Sequence, residues 1–92
     1  MIGTLEGFRK YAVVEGDGED GVLTTCLTAA RGYLRGAGVD EAKCAERGAD
    51  AELYEIALYR IALAWYDNRG ALPKDDGAFA GVNGIILQLR EV

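Results

Sequence analysis

The sequence predicts an all-α fold: a small bundle of about four helices, with a long central third helix and a short C-terminal one. Three observations lead there. Apolar residues recur at three- and four-residue spacing in four separate segments. The only β-rich clusters, Val13-Val14 and Ile85-Ile86, are too short to make strands. Glycine is abundant, 13 of 92 residues, and most glycines fall between the periodic segments, where they read as helix stops and loops.

The first helix covers about residues 4–13, with Thr4 as its N-cap and Leu5, Phe8 and Ala12 on one face. A tight acidic turn, EGDGEDG, follows, and Asp20 at its end is placed to cap the next helix over about 21–35. There Leu23, Cys26, Leu27, Ala30 and Leu34 recur at helical spacing, Arg31 and Arg35 share a more polar face, and Gly36-Ala37-Gly38 ends the run. Residues 37–49 form a charged connector, in which DEAKCAER is compatible with one short turn of helix. The longest helix begins near Asp50 and ends at Asn68, with Gly70 beyond it as a C-cap glycine. Residues 70–82, with the sole proline and Lys74-Asp75-Asp76-Gly77, read as an exposed, mobile loop. Residues 83–92 supply the short closing helix, and the whole of 1–92 is a single domain. Gly7 and Gly32 stand inside helical patterns, where each costs about 1 kcal/mol relative to alanine. Either another backbone approaches those turns closely or the helices there are weak.

The long helix is apolar on two sides. At about 100° per residue, Leu53, Tyr54, Ala57, Leu58, Ile61, Ala64 and Trp65 form one wide arc. Ile56, Tyr59, Leu63 and Tyr66 form a second, interleaved with Glu52 and Glu55 and bordered by Arg60 and Asp67. An outer helix needs one such arc. Two arcs mean a helix covered by its own chain on both sides, or one side turned to a partner. The expected core set is Leu23, Leu27, Leu53, Ala57, Ile61 and Trp65, with Trp65 as the anchor of the fold.

Charge and composition narrow the function. The chain carries 15 acidic and 10 basic residues, a formal net charge of −5, and no histidine. An acidic chain does not hold nucleic acid by neutralising phosphates. Without histidine it lacks the commonest general base and the commonest metal ligand. Cys26, on an apolar helix face, reads as a small core residue and Cys44 as part of the charged connector; neither spacing suggests zinc or an oxidising compartment. No signal peptide opens the sequence and no apolar run reaches about 18 residues, so the expectation is an intracellular, soluble protein without a membrane partner.

Candidate chemistry fares poorly. Glu15, Asp17 and Glu19 have the alternation of a calcium loop, but Asp20 stands where glycine is needed and Cys26 where the bidentate glutamate belongs. Asp40-Glu41 and Asp75-Asp76 read as solvated charge, and Thr24-Thr25 have no base at readable spacing. No phosphate loop is present, and Trp65-Tyr66 as a base-stacking platform would be flanked by acids. The expectation is a non-enzyme with no catalytic residues, no metal and no cofactor.

Two blocks together carry a family resemblance. Phe8-Arg9-Lys10-Tyr11 leads into the acidic turn ending at Asp20, and a helix follows with Leu23, Leu27, Ala29-Ala30-Arg31 and Tyr33-Leu34. Later come Leu53-Tyr54, Ala57, the Ala64-Trp65-Tyr66-Asp67-Asn68-Arg69 corner and the ending Gly84-Ile85-Ile86-Leu87-Gln88-Leu89-Arg90. This resembles the small head–tail connector proteins (also called adaptor, DNA-packaging or head-completion proteins) of long-tailed bacteriophages and prophages, over nearly the whole chain. Gly32 and the connector 39–49 depart from it. The resemblance implies an all-α subunit that forms a ring below the portal of a filled capsid. Its partners would be copies of itself, the portal protein and the next neck or tail protein. DNA would pass through the ring without specific binding. The implied location is the virion neck, with the host bacterial cytoplasm as the site of assembly, and a free monomer would be compatible with it. On this reading Ile56, Tyr59, Leu63, Tyr66, Arg69, Ile85, Ile86 and Leu89 are the candidate subunit or portal interface. The alternatives are another neck or tail-completion protein, or a small helical DNA-binding packaging or regulatory subunit, whose most basic visible face carries only Arg31 and Arg35.

Overall fold

The computed structural model describes residues 2–13, 18–67 and 80–90. Among these residues the chain forms five α-helices and no strand: α1 (Leu5–Ala12), α2 (Asp20–Gly36), α3 (Glu41–Ala45), α4 (Gly48–Asp67) and α5 (Ala80–Arg90). The fold is all-α. The expected four helices become five because part of the charged connector folds as α3, which makes the long central helix fourth in order. Asp40 nucleates α3, its carboxylate accepting from the Ala42 and Lys43 backbone N–H groups. Cys44 then points inward and is fully buried, so the connector is anchored by the residue that the pattern left among charges.

Local chemistry sets the remaining boundaries. Thr4 caps α1 by accepting from the Gly7 N–H, and the helix ends at Val13, which takes a left-handed conformation and donates back to the Arg9 and Lys10 carbonyls. At α2 the expected cap is one residue out. Glu19 is the N-cap and makes no side-chain cap hydrogen bond, while Asp20 is the first helical residue and pairs with Arg9 of α1. α4 begins two residues before Asp50, and its expected stop at Asn68 and Gly70 lies outside the described residues, as do residues 70–79 of the expected loop. The end of that loop needs correction: residues 80–82 are the first turn of α5, and Val82 is fully buried. Val82, Ile86 and Leu89 are spaced four and three apart, one face of a helix, and that face seals the core.

α4 is the centre of the molecule, packing against α1, α2, α3 and α5. Tyr54, Ala57, Leu58, Tyr59, Ile61 and Ala62 are its buried residues, facing a core that includes Phe8, Leu23, Leu27, Leu34 and Leu89. Burying each large apolar side chain contributes about 1.5–3 kcal/mol. That compares with a net stability of about 5–15 kcal/mol for a domain, so few of them are dispensable. Of the expected core set, Leu23, Leu27, Ala57 and Ile61 are buried, while Leu53 and Trp65 are only partly buried at its edge. The anchor is therefore the Leu58–Ile61 turn rather than Trp65, which is partly buried and packs against the edge of the core.

Three residues that the pattern places on an interface are corrected by the structure. Ile86 and Leu89 lie on the inner face of α5, and Tyr59 is buried beneath α1. The Tyr59 ring stacks on Phe8 at 5.7 Å between centroids and meets Tyr11 at 5.6 Å, and its hydroxyl accepts from the Thr4 N–H at 3.0 Å. This explains Gly7. A Cβ there would stand 2.3 Å from the Tyr59 hydroxyl oxygen, so the close approach is real and is made by a side chain rather than a backbone. Gly32 meets nothing within 4 Å. Gly7→Ala is therefore expected to lower stability by about 1–3 kcal/mol, overpacking outweighing the ~1 kcal/mol gain in helix propensity. Gly32→Ala raises it by about 0.5–1 kcal/mol, with urea unfolding of both variants as the measurement.

Candidate functional site

Most of the chain's well-placed polar groups tie segments together. Arg31 of α2 reaches three ways: Nη2 donates to the Ile2 and Gly3 carbonyls at 2.7 and 2.9 Å, and Nε donates to Glu41 Oε1 at 3.1 Å. One guanidinium thus clasps the N-terminal segment and α3 to α2. Arg9 pairs with Asp20, and the Tyr66 hydroxyl donates to Glu19, joining the end of α4 to the start of α2. The Glu6–Lys10 pair at 3.8 Å is exposed and contributes little. With Arg31 engaged in this way, the basic face expected of a DNA-binding rival is reduced to Arg35.

Two buried groups have displaced titrations. Burial, reinforced by Asp50 and Asp40, pushes the Cys44 thiol above its ordinary value of 9.0. A thiol held neutral in this way is a poor nucleophile. Burial likewise raises the Tyr54 phenol, helped by the Glu41 carboxylate to which it hydrogen-bonds. Among the described residues no group of three or more His, Cys, Asp or Glu stands close enough to hold a metal ion, and no helix is long and apolar enough to cross a membrane.

Among the described residues, two openings lie on opposite sides of α4. A groove of about 570 Å³ runs between α1 and α4, with Tyr59 in its floor, Tyr11 and Ile56 on its walls and Glu52 and Glu55 on its rim. Ile56 is 45% exposed and Tyr11 43%, large apolar side chains that the fold leaves uncovered. Glu52 and Glu55 enter no ion pair among the described residues. The second opening, of about 640 Å³, lies where the end of α2, the 38–42 turn and α4 meet, with Arg35, Asp40 and Tyr54 among its lining. Arg90 of α5 reaches this corner: its side chain lies across Gly38, where a Cβ would stand 3.3 Å from Nε.

The expected interface residues are therefore dispersed. Ile56 lines the groove, Tyr59 is under it, Leu63, Tyr66 and Ile85 are half-buried, Ile86 and Leu89 are core, and Arg69 lies outside the described residues. The exposed apolar residue of α5 is Leu87, 62% exposed and absent from the expected set. Its signal was the inward face: once Val82 joins Ile86 and Leu89, Leu87 must point away. Comparison of the chain with family models, with curated proteins and with solved structures returns no match.

Two measurements follow from these contacts. Arg31→Ala is expected to cost about 2–3 kcal/mol, because it leaves two carbonyls and Glu41 without their donor. A double-mutant cycle with Glu41→Ala should then assign roughly 1 kcal/mol to that pair. The fold favours the protonated Cys44 and Tyr54, so the unfolded chain loses these protons first as pH rises. The Cys44 contribution is complete below its ordinary value of 9.0 and is lost as pH rises above it; that of Tyr54 is complete below 10.0 and is lost above that. The fall in thermal midpoint should accordingly be shallower than in the parent from about pH 9 upward in Cys44→Ala, and only from about pH 10 upward in Tyr54→Phe.

Proposed function

We propose that this chain is a head–tail connector subunit of a long-tailed bacteriophage or prophage. Copies of it form a ring below the portal, join the DNA-filled head to the tail and extend the DNA channel. The observation that carries the reading is the uncovered side of α4. The chain's longest helix is apolar on two sides, and α1, eight residues long, covers the second side only in part, leaving Ile56 and Tyr11 open in a groove. A ring subunit needs such a surface, because each copy must bury apolar area against a neighbour.

The chemistry of the remaining surface supports the same reading. A net charge of −5 suits a conduit, since a channel that gripped phosphates would hold back the DNA meant to slide through it. Arg31, half of the most basic helix face, is engaged with Glu41 and two carbonyls. The residue pattern from the acidic turn through the Trp65-Tyr66-Asp67-Asn68-Arg69 corner is the sequence support. The proposed setting is the virion neck, with assembly in the bacterial cytoplasm and the portal and the next neck or tail protein as partners.

Light scattering of the purified protein, alone and mixed with its cognate portal, tests the reading. A ring is expected, spontaneous or formed only on the portal. A protein that stays monomeric and indifferent to the portal would overturn it.

A further inference from the structure

The two openings flanking α4 differ in charge and face opposite ways. Tyr54 lines the recess and Ile56 the groove; two residues apart on a helix, they are separated by about 160° around its axis. The groove side presents Ile56 and Tyr11 with Glu52 and Glu55, two carboxylates outside any ion pair among the described residues, and with Lys10, whose charge is paired with Glu6. The recess side presents the reverse. Arg35 is exposed at the end of α2, and Arg90 lies across Gly38 at the edge of the same recess. Leu87 stands one turn back from Arg90 on the same side of α5, 62% exposed. Of the acids at this corner, Glu41 is neutralised by Arg31, and Asp40 accepts from two backbone N–H groups of α3.

We infer that the α1–α4 groove of one copy receives the Leu87–Arg90 edge of α5 and Arg35 of the next copy. Leu87 packs against Ile56 and Tyr11, and the two arginines meet Glu52 and Glu55. The inference rests on the ring reading above and names the surfaces that would build the ring. Charge selects the occupant. Pairing groove with groove sets four carboxylates against one another, and pairing edge with edge does the same with four guanidinium groups, so a two-fold dimer is disfavoured on either surface. Groove against edge satisfies both. Because the two surfaces lie on opposite sides of one helix, each copy that accepts a neighbour leaves its other surface free. The contact is head-to-tail, the type that closes into a ring when the rotation allows.

The test is charge reversal in the full chain. Three variants are compared with the parent by sedimentation velocity and light scattering, alone and on the cognate portal: Glu52→Lys with Glu55→Lys, Arg35→Glu with Arg90→Glu, and all four together. Glu52, Arg35 and Arg90 are exposed and Glu55 is half-buried, and far-UV circular dichroism with a thermal melt checks that each variant keeps its helices. Each pair alone is expected to weaken self-association at least about tenfold, and the four together to restore it. Ring formation left unchanged by either pair, or lost with the pairs and not restored by the combination, would overturn the proposed contact while leaving the connector reading intact. A parent chain that stays monomeric with and without the portal would defeat the connector reading and this contact with it. A second readout is independent of charge. In an assembled mixture of Ile56→Cys and Leu87→Cys subunits, a short bis-maleimide should link the two kinds to each other, each thiol adding across one maleimide. Ile56→Cys alone should give no cross-linked dimer; a dimer from that variant alone would mean groove-to-groove pairing and would overturn the inference.

Discussion

Helix α4 must be covered on both sides, and the shape of the whole molecule follows from how the chain meets that demand. The helix packs against α2, α3 and α5. The face that carries Tyr59 and Ile56 meets α1, which is only eight residues long and so brings little apolar area of its own. Its contact works because Tyr59 fills the gap: the ring supplies area against Phe8 and Tyr11, and the hydroxyl satisfies the Thr4 N–H at the start of the helix. Gly7 is the condition for that contact, since any side chain there would push Tyr59 away. What α1 cannot reach stays open, and Ile56 is the residue left over.

The polar side chains complete this packing rather than compete with it. Arg31 joins the 2–3 segment, α2 and α3, Arg9 and Asp20 join α1 to α2, and Tyr66 and Glu19 join α4 to α2. Each tie spans elements that a helix's own hydrogen bonds cannot connect. In a chain of 92 residues, where the core is small, such ties decide how the helices are oriented. They also explain the character of the surface. The groups engaged between elements include two of the arginines, so Glu52 and Glu55, outside any ion pair among the described residues, stand out along the groove. An acidic, partly apolar surface on a compact helical subunit is suited to meeting other proteins, and this is where structure and proposed role converge.

The sequence by itself determined the helical class, because apolar spacing of three and four residues has no other regular solution and no segment offers a strand. It also determined that α4 is apolar on two sides, since that follows from composition and the pitch of a helix alone. The Thr4 cap, the stop near Gly36 and the buried Leu23, Leu27, Ala57 and Ile61 were legible for the same local reasons. Only the tertiary structure decided which arc met which neighbour. Periodicity could not tell that Tyr59 lies under α1, because a tyrosine with an apolar ring and a polar tip suits an interior and an interface equally. Nor could it orient α5, whose inner face depends on Val82, a residue that the pattern assigns to the loop. Cys44 and α3 were hidden because a charged stretch with one small apolar residue has too weak a period to reveal what it buries. Arg31 shows the limit most plainly: its partners are 10, 28 and 29 residues away in the chain, and no spacing rule reaches across that distance.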